Sequence, residues 1–357
     1  MNQSHDSMDP RERQARRTAL RKKRMRRHRQ RQLLALAGLI LFVVLMVVLL
    51  VKCTGGDSST PALDSTAGST DAALTEDTET LQEITWMTLP ADRTLTAKQY
   101  FVFDCAAGMF TVLSENADTR IYPASVTKLI TACVAMQYLN PNDVITAAEA
   151  LNLVAAGSSV AELEKGDTLT ASQLIGGMIL PSGNDAAYVL ATEAGRILLE
   201  QPGADAKTAV AAFVDRMNEY AQQVGLTGTH FANPDGIHKE NHYTTYQDLV
   251  TMAQLSLQNA SLMEYCATSN ATVEAGARTL QWHNTNLLVD PASEYYCPYA
   301  VGLKTGQTPY AGSCLLSAFE LPETTLIIGV FGCPDIESRF ADTLQLLNNY
   351  LSPVCYS

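Results

Sequence analysis

The sequence predicts one α+β domain held outside a membrane by an N-terminal anchor, and three observations carry that prediction. Apolar residues alternate with period two at both ends of the globular stretch, in Tyr100–Asp104 and Met109–Leu113 and again in Gly312–Phe319 and Thr325–Gly332. Helical spacing fills the middle. A charge-free run, Leu33–Val51, precedes them all. Strands from both chain ends around a helical middle give an antiparallel sheet flanked by helices, which is the α+β plan.

The elements follow in chain order. Leu33–Val51 is 19 residues without a charged or polar side chain, bracketed by Arg31 and Lys52. As a helix it measures about 28 Å, close to the ~30 Å hydrocarbon core of a bilayer. Of the 25 Lys and Arg residues, 12 lie between Arg11 and Arg31, so the positive-inside rule puts residues 1–32 in the cytoplasm and the rest of the chain outside. A cleaved secretory signal is the competing reading; the apolar run is longer than the usual ~7–15 residues and no small-x-small site follows it. Lys52 is a poor neighbour for lipid attachment at Cys53. Residues 52–84 are read as a disordered extracytoplasmic linker, because Thr54–Thr80 carries 11 Ser/Thr and six Asp/Glu with no base and no aromatic. From Leu33 onward 13 bases face 34 acids, a net charge of −21. A body this acidic repels a phosphate backbone, which excludes nucleic acid as a partner.

The globular domain, residues 85–357, opens with the Tyr100–Asp104 and Met109–Leu113 hairpin. Helices are predicted at Ser125–Leu139, Ala171–Leu180, Ala186–Leu199, Ala206–Val224, Tyr246–Leu257 and Arg339–Leu351. Thr245 followed by Asp248 has the spacing of a capping box.

Three short segments carry chemistry. In Pro123-Ala124-Ser125-Val126-Thr127-Lys128 a serine at a helix start has a lysine three residues on, on the same face. A hydroxyl is a weak nucleophile until a base takes its proton, and a desolvated lysine can do so. Taken alone, the same pattern also fits an N-cap followed by a solvated lysine. Pro181-Ser182-Gly183-Asn184 lies between two predicted helices, and Lys304-Thr305-Gly306 lies just before a predicted strand. Each alone reads as a turn. Their order, with 57 residues from Ser125 to Ser182 and 122 more to Lys304, is that of the Ser-x-x-Lys acylating enzymes.

With these motifs, and with Phe231-Ala232-Asn233-Pro234-Asp235-Gly236, Asn116-Ala117-Asp118 and Ala311-Gly312, the chain from about Lys98 resembles the serine D-Ala-D-Ala carboxypeptidases, the low-molecular-mass penicillin-binding proteins. The resemblance implies the penicillin-recognising fold shared with serine transpeptidases and β-lactamases, a five-stranded antiparallel sheet with helices on both sides. It implies that Ser125 attacks the penultimate D-Ala carbonyl of a peptidoglycan stem, that Lys128 takes its proton, and that Ser182 and Asn184 complete the proton path. Lys304, Thr305 and Gly306 would meet the terminal carboxylate, and the N–H groups of Ser125 and Gln307 would hold the oxyanion. β-Lactams would be covalent inhibitors, and no cofactor or metal is implied. Many family members append a β-rich domain and a C-terminal amphipathic helix; only 51 residues follow Gly306, so neither is expected.

Two rival functions stand beside this reading, and the first shares these motifs. A class A β-lactamase needs a glutamate that activates the deacylating water, and the nearest candidate, Glu219, falls inside a predicted amphipathic helix. A wall-binding protein without turnover would keep the fold and lose the motifs. His238 and His242, four apart, lack the HExxH pattern of a zinc pair. All eight cysteines lie on the exported side, where disulfides are permitted. Cys133 and Cys314 are expected as buried thiols. Cys266 and Cys297 are read either as a bridge across the excursion that places Asn284-Thr285-Asn286 near the site, or as two unpaired thiols.

Overall fold

Strands from the two ends of the globular stretch meet in one sheet. The structure, a computed structural model, describes residues 94–114 and 119–351. In chain order the elements are β1 (Gln99–Asp104), β2 (Met109–Leu113), α1 (Lys128–Ala135) entered through a 3₁₀ turn at Ala124–Thr127, β3 (Val144–Thr146), β4 (Thr168–Thr170), α2 (Ala171–Ile179), α3 (Asn184–Leu198), α4 (Ala206–Gln223), α5 (Tyr246–Gln258), α6 (Ala260–Cys266), β5 (Asn270–Ala275), β6 (Arg278–His283), β7 (Ala300–Thr308), β8 (Gly312–Glu320), β9 (Thr325–Cys333) and α7 (Ile336–Leu351). The main sheet has the order β2-β1-β9-β8-β7 with every neighbouring pair antiparallel. The α+β expectation holds, and β7 is an edge strand.

The sheet separates two cores. Phe101, Phe103, Ile327 and Phe331 face the helical middle, while Tyr100, Val102, Ile328 and Val330 pack with Phe340 and Leu347 of α7. Fully burying each such side chain contributes about 1.5–3 kcal/mol, so both faces of the central strands are committed. Helix starts are chemically marked. Thr170 and Gln173 form a reciprocal capping box on α2, and Asp205 accepts the Thr208 N–H at the head of α4. At α5 the Thr245 side chain accepts from Asp248 N–H, and the Asp248 carboxylate also holds Gly228 N–H at 2.9 Å and the Thr229 hydroxyl at 2.5 Å.

Several expectations need correction. The helix predicted over Ser125–Leu139 is divided: Ser125 lies in the 3₁₀ turn and α1 ends at Ala135. Apolar spacing runs on to Leu139 because the next residues stay in tight turns, with Met136 and Leu139 N–H bonded to Ala132 and Ala135, and Leu139 stays in the same core. Lys304-Thr305-Gly306 precedes β8, as expected, but is not a turn: it lies within a further strand, β7, whose residues are buried through Gly306, so alternation is lost. The excursion before it contains the β5–β6 hairpin. No Cys266–Cys297 bridge is formed. Cys266 belongs to the core under the helices and Cys297 to the core under α7, and all six described cysteines are free. Cys133 and Cys314 are buried thiols, as expected. The predicted tail, span and linker lie outside the described residues, as do Cys53, Cys355 and Asn116-Ala117-Asp118. Among the described residues no helix is long and apolar enough to cross a membrane.

Candidate active site

Ser125 is held in the turn that enters α1, behind Ala124 at φ +48°. A left-handed non-glycine residue costs about 1–2 kcal/mol, so the surroundings must enforce it. Two glycines do so by close approach. A Cβ on Gly236 would fall 1.9 Å from the Ala124 carbonyl oxygen, and one on Gly306 would fall 2.9 Å from the Ala124 Cβ. The Phe231–Gly236 loop and strand β7 therefore press bare backbone against the serine turn, which brings the distant motifs to one place.

Lys128, one turn on, is fully buried. Its Nζ donates to Ser125 Oγ at 2.9 Å, to Asn184 Oδ1 at 2.6 Å and to the Asp235 carbonyl at 2.8 Å, which uses all three ammonium protons. Burial pulls its pKa down to about 8, against the raising effect of the Asp235 and Asp185 charges. An amine that is half neutral near that pH and 2.9 Å from a hydroxyl can take the hydroxyl proton. Asn184 reaches it from the first turn of α3, fixed there because Asp185 accepts Ala161 N–H at 2.7 Å and Leu163 N–H at 3.0 Å. Ser182 stands at the same corner with φ +62°, buried, but the bonds of Lys128 run to Asn184 and not to it.

Lys304 is the second buried lysine. Its Nζ meets only the Thr305 carbonyl and hydroxyl, at 3.2 and 3.3 Å, and it has no ion-pair partner among the described residues. Burial, then the positive charges of Lys128 and Arg339, push its pKa well down. The Thr305 hydroxyl is 2.7 Å from that of Thr285, which places the Asn284-Thr285-Asn286 segment beside the motif. Gln307 is exposed next to Gly306 on the same strand.

Sequence reasoning missed two contributors. Arg339, on α7, is 5 % exposed; Nη1 approaches the Gly306 carbonyl at 3.4 Å and Nε is buried without a partner. Burial lowers its pKa to about 10. The available signal was a lone base on the inner face of the last helix. The Asp235 carbonyl is a backbone group, so residue type carried no signal for it. Two buried cations without an anion are costly, and an incoming carboxylate removes that cost.

The remaining candidates are structural. The Nδ1 of His242 accepts Ala232 N–H at 3.1 Å, so Nε2 carries the proton and donates to the Thr127 hydroxyl at 2.7 Å. Both nitrogens are occupied, and burial lowers the pKa to about 3. His238 stacks on Tyr310 at 3.9 Å, and no group of three metal-ligating side chains occurs among the described residues. Glu219 is on the outer side of α4, two-thirds exposed and 3.4 Å from Arg216, where it cannot activate water at Ser125.

A serine and a buried amine facing two anion-seeking cations, on an antiparallel sheet with helices on both faces, define a serine acyl-transfer protein of the penicillin-recognising kind. The chain belongs to the peptidase S11, D-alanyl-D-alanine carboxypeptidase, family, whose model matches residues 86–335. It is 34% identical over 248 residues to the D-alanyl-D-alanine carboxypeptidase of Streptomyces sp. strain K15, covering 67% of this chain and 81% of that protein. Identity to DacF of Bacillus subtilis is 29% over 241 residues, with 66% of this chain and 57% of DacF covered. For DacA of Escherichia coli it is 30% over 275 residues, with 72% and 62% covered. The crystal structure of the Streptomyces K15 DD-transpeptidase superposes with TM-score 0.64 at 32% identity, covering 71% of this chain and 96% of that one.

Proposed function

We propose that this protein is a serine D-Ala-D-Ala carboxypeptidase that removes the terminal D-Ala from peptidoglycan pentapeptide through an acyl-enzyme on Ser125. The observation that carries the reading is the 2.9 Å contact between Ser125 Oγ and the buried Lys128 amine, across from the unpaired Lys304 and Arg339. Neutral Lys128 takes the Ser125 proton as Oγ attacks the penultimate D-Ala carbonyl. The N–H groups of Ser125 and Gln307 hold the oxyanion, an interaction commonly worth about 3–4 kcal/mol. Asn184 orients the substrate amide and Ser182 relays the proton to the departing amine of D-Ala. Lys304, Thr305 and Arg339 hold the terminal carboxylate, with Gly306 giving the peptide close approach to β7. Water then hydrolyses the ester and frees Ser125. Penicillins, which carry a carboxylate beside a strained amide, acylate the same serine. Residues 1–32 form a cytoplasmic tail, residues 33–51 a membrane span and residues 52–84 a linker to the domain at 85–357, an organisation supported by the uncharged run and the basic tail.

The test is mass spectrometry of a muropeptide pentapeptide incubated with the full-length protein. Loss of one D-Ala is expected, with Ser125→Ala abolishing both that loss and covalent penicillin labelling while leaving the circular dichroism spectrum unchanged. An adduct retained by the mutant would sink the assignment. Rapid penicillin hydrolysis would instead mark a β-lactamase, and absence of any acylation a catalytically silent wall-binding protein. Protease added outside intact cells should leave a protected fragment of tail plus span; a mature chain beginning after residue 51 would contradict the anchor.

A further inference from the structure

Strand β7 gives the bound peptide a direction. Lys304 and Thr305, which take the C-terminal carboxylate, come first along β7 and Gln307, beside the scissile carbonyl, follows, so the upstream stem runs toward the β7–β8 turn and Tyr310. At about 3.4 Å per residue, a group two or three residues upstream of the scissile bond lies about 7–10 Å further on. There the structure has a groove of about 490 Å³, lined by Lys98, Gln99, Arg120, Tyr122 and Tyr310 among others. Two of these residues belong to the rim of the reactive cleft: Tyr122 stands three residues before Ser125 and meets His238 edge-on at 4.6 Å, and His238 stacks on Tyr310 at 3.9 Å.

The groove is built for an anion. Among the described residues no Asp or Glu lines it, although acids outnumber bases 34 to 13 from Leu33 onward. Neither Lys98 nor Arg120 has an ion-pair partner among the described residues. Both are held in place before any ligand arrives. The Arg120 guanidinium lies 3.9 Å over the Tyr243 ring, and the next residue is pinned by Ile121 N–H to Thr244 O at 2.9 Å. The stem of Lys98 lies across Gly332, where an added Cβ would meet it at 3.0–3.2 Å. Two cations positioned in advance lose little side-chain freedom on binding.

We propose that this groove is a subsite for a free carboxylate of the peptidoglycan stem, one or two residues upstream of the penultimate D-Ala, with Lys98 and Arg120 as specificity-determining residues. The proposal rests on the carboxypeptidase reading above. The stem of a muropeptide offers such a carboxylate, and a short acyl-D-Ala-D-Ala peptide does not.

The experiment compares kcat/KM of the full-length protein on three substrates: a pentapeptide with the upstream carboxylate free, the same peptide with that carboxylate amidated, and a short diacylated peptide ending in D-Ala-D-Ala. Wild type is expected to prefer the free acid by about 3–10-fold, the range of two exposed charge contacts, with the preference in KM and shrinking as salt rises. Lys98→Ala with Arg120→Ala should erase the preference, Lys98→Arg with Arg120→Lys should restore most of it, and penicillin acylation should be unchanged in each. Equal loss on all three substrates, or a preference that survives the double substitution, overturns the subsite and leaves the carboxypeptidase reading standing. Wild type that releases no D-Ala from any of the three overturns both.

Discussion

Lys128 and Lys304 are both buried lysines of the candidate active site, yet their surroundings are opposite. Lys128 is enclosed by oxygen acceptors from three segments, with the charges of Asp235 and Asp185 supporting its proton. Lys304 has two longer contacts to one residue, and its charged neighbours Lys128 and Arg339 are cations. Burial disfavours the charge on both. In the first pocket the Asp235 and Asp185 charges limit the fall, leaving a pKa near 8 from which an amine can both take and return a proton. In the second, burial and two cations act together, opposed only by the weaker influence of Cys266, so an arriving anion would relieve the site. Residue type and burial are shared; the neighbours suit one amine to act as a base and the other to receive an anion.

The largest break in this comparison comes from removing the base. Lys128→Ala should slow acylation by about 10²–10⁴-fold for peptides and penicillins alike, because proton transfer precedes any distinction between them. Stopped-flow labelling with a chromogenic cephalosporin measures it. Lys304→Ala should cost less, about 10–150-fold in kcat/KM for substrates ending in a carboxylate, corresponding to the ~1.5–3 kcal/mol of a hydrogen bond to a charged group. Arg339→Ala should act in the same direction, expressed in KM; a change in kcat alone would argue that the guanidinium only supports α7.

Proton chemistry sharpens the contrast further. Acylation should rise with pH through about 8 as Lys128 becomes neutral. Asp235→Asn should move that limb to lower pH, because the Asp235 charge raises the lysine pKa. An unmoved limb would place the titrating base elsewhere. His242 is a third buried base, outside the reaction. Its pKa is about 3 in the folded state against 6.5 when exposed, so between those values the unfolded chain binds a proton that the folded chain does not. Stability is therefore fully present above pH 6.5 and lost as pH falls through this window, by about 2 kcal/mol at pH 5. Urea melts of wild type and His242→Gln at pH 7 and 5 should show the slope disappear in the variant.

Much of this was legible in the sequence. Ser125, Lys128 and Asn184 come within hydrogen-bond distance, and the hairpin, β8, β9 and most helices start or end within a few residues of the periodicity. What escaped has physical causes. β7 is buried on both faces and rich in glycine, so Lys304-Thr305-Gly306 read as a turn before a strand instead of the strand itself. The β5–β6 hairpin did carry a signal: Val273 and Ala275, then Leu280 and Trp282, are buried with period two around Gly276 at φ +72°. Arg339 and the Asp235 carbonyl join the site only through packing, with Arg339 33 residues beyond Gly306 and the Asp235 carbonyl belonging to the backbone. The bridge between Cys266 and Cys297 failed because sequence distance says nothing about which side of a sheet a thiol faces.

The division of labour between the two lysines is tested most directly with a pair of peptides that differ only in ending as D-Ala-D-Ala carboxylate or as its C-terminal amide, turned over by wild type, Lys128→Ala and Lys304→Ala. Wild type should prefer the carboxylate strongly, Lys128→Ala should lose about 10²–10⁴-fold on both peptides with the preference kept, and Lys304→Ala should keep slow turnover of both with the preference gone. Turnover near the wild-type rate by Lys128→Ala, or an undiminished carboxylate preference in Lys304→Ala, would contradict it.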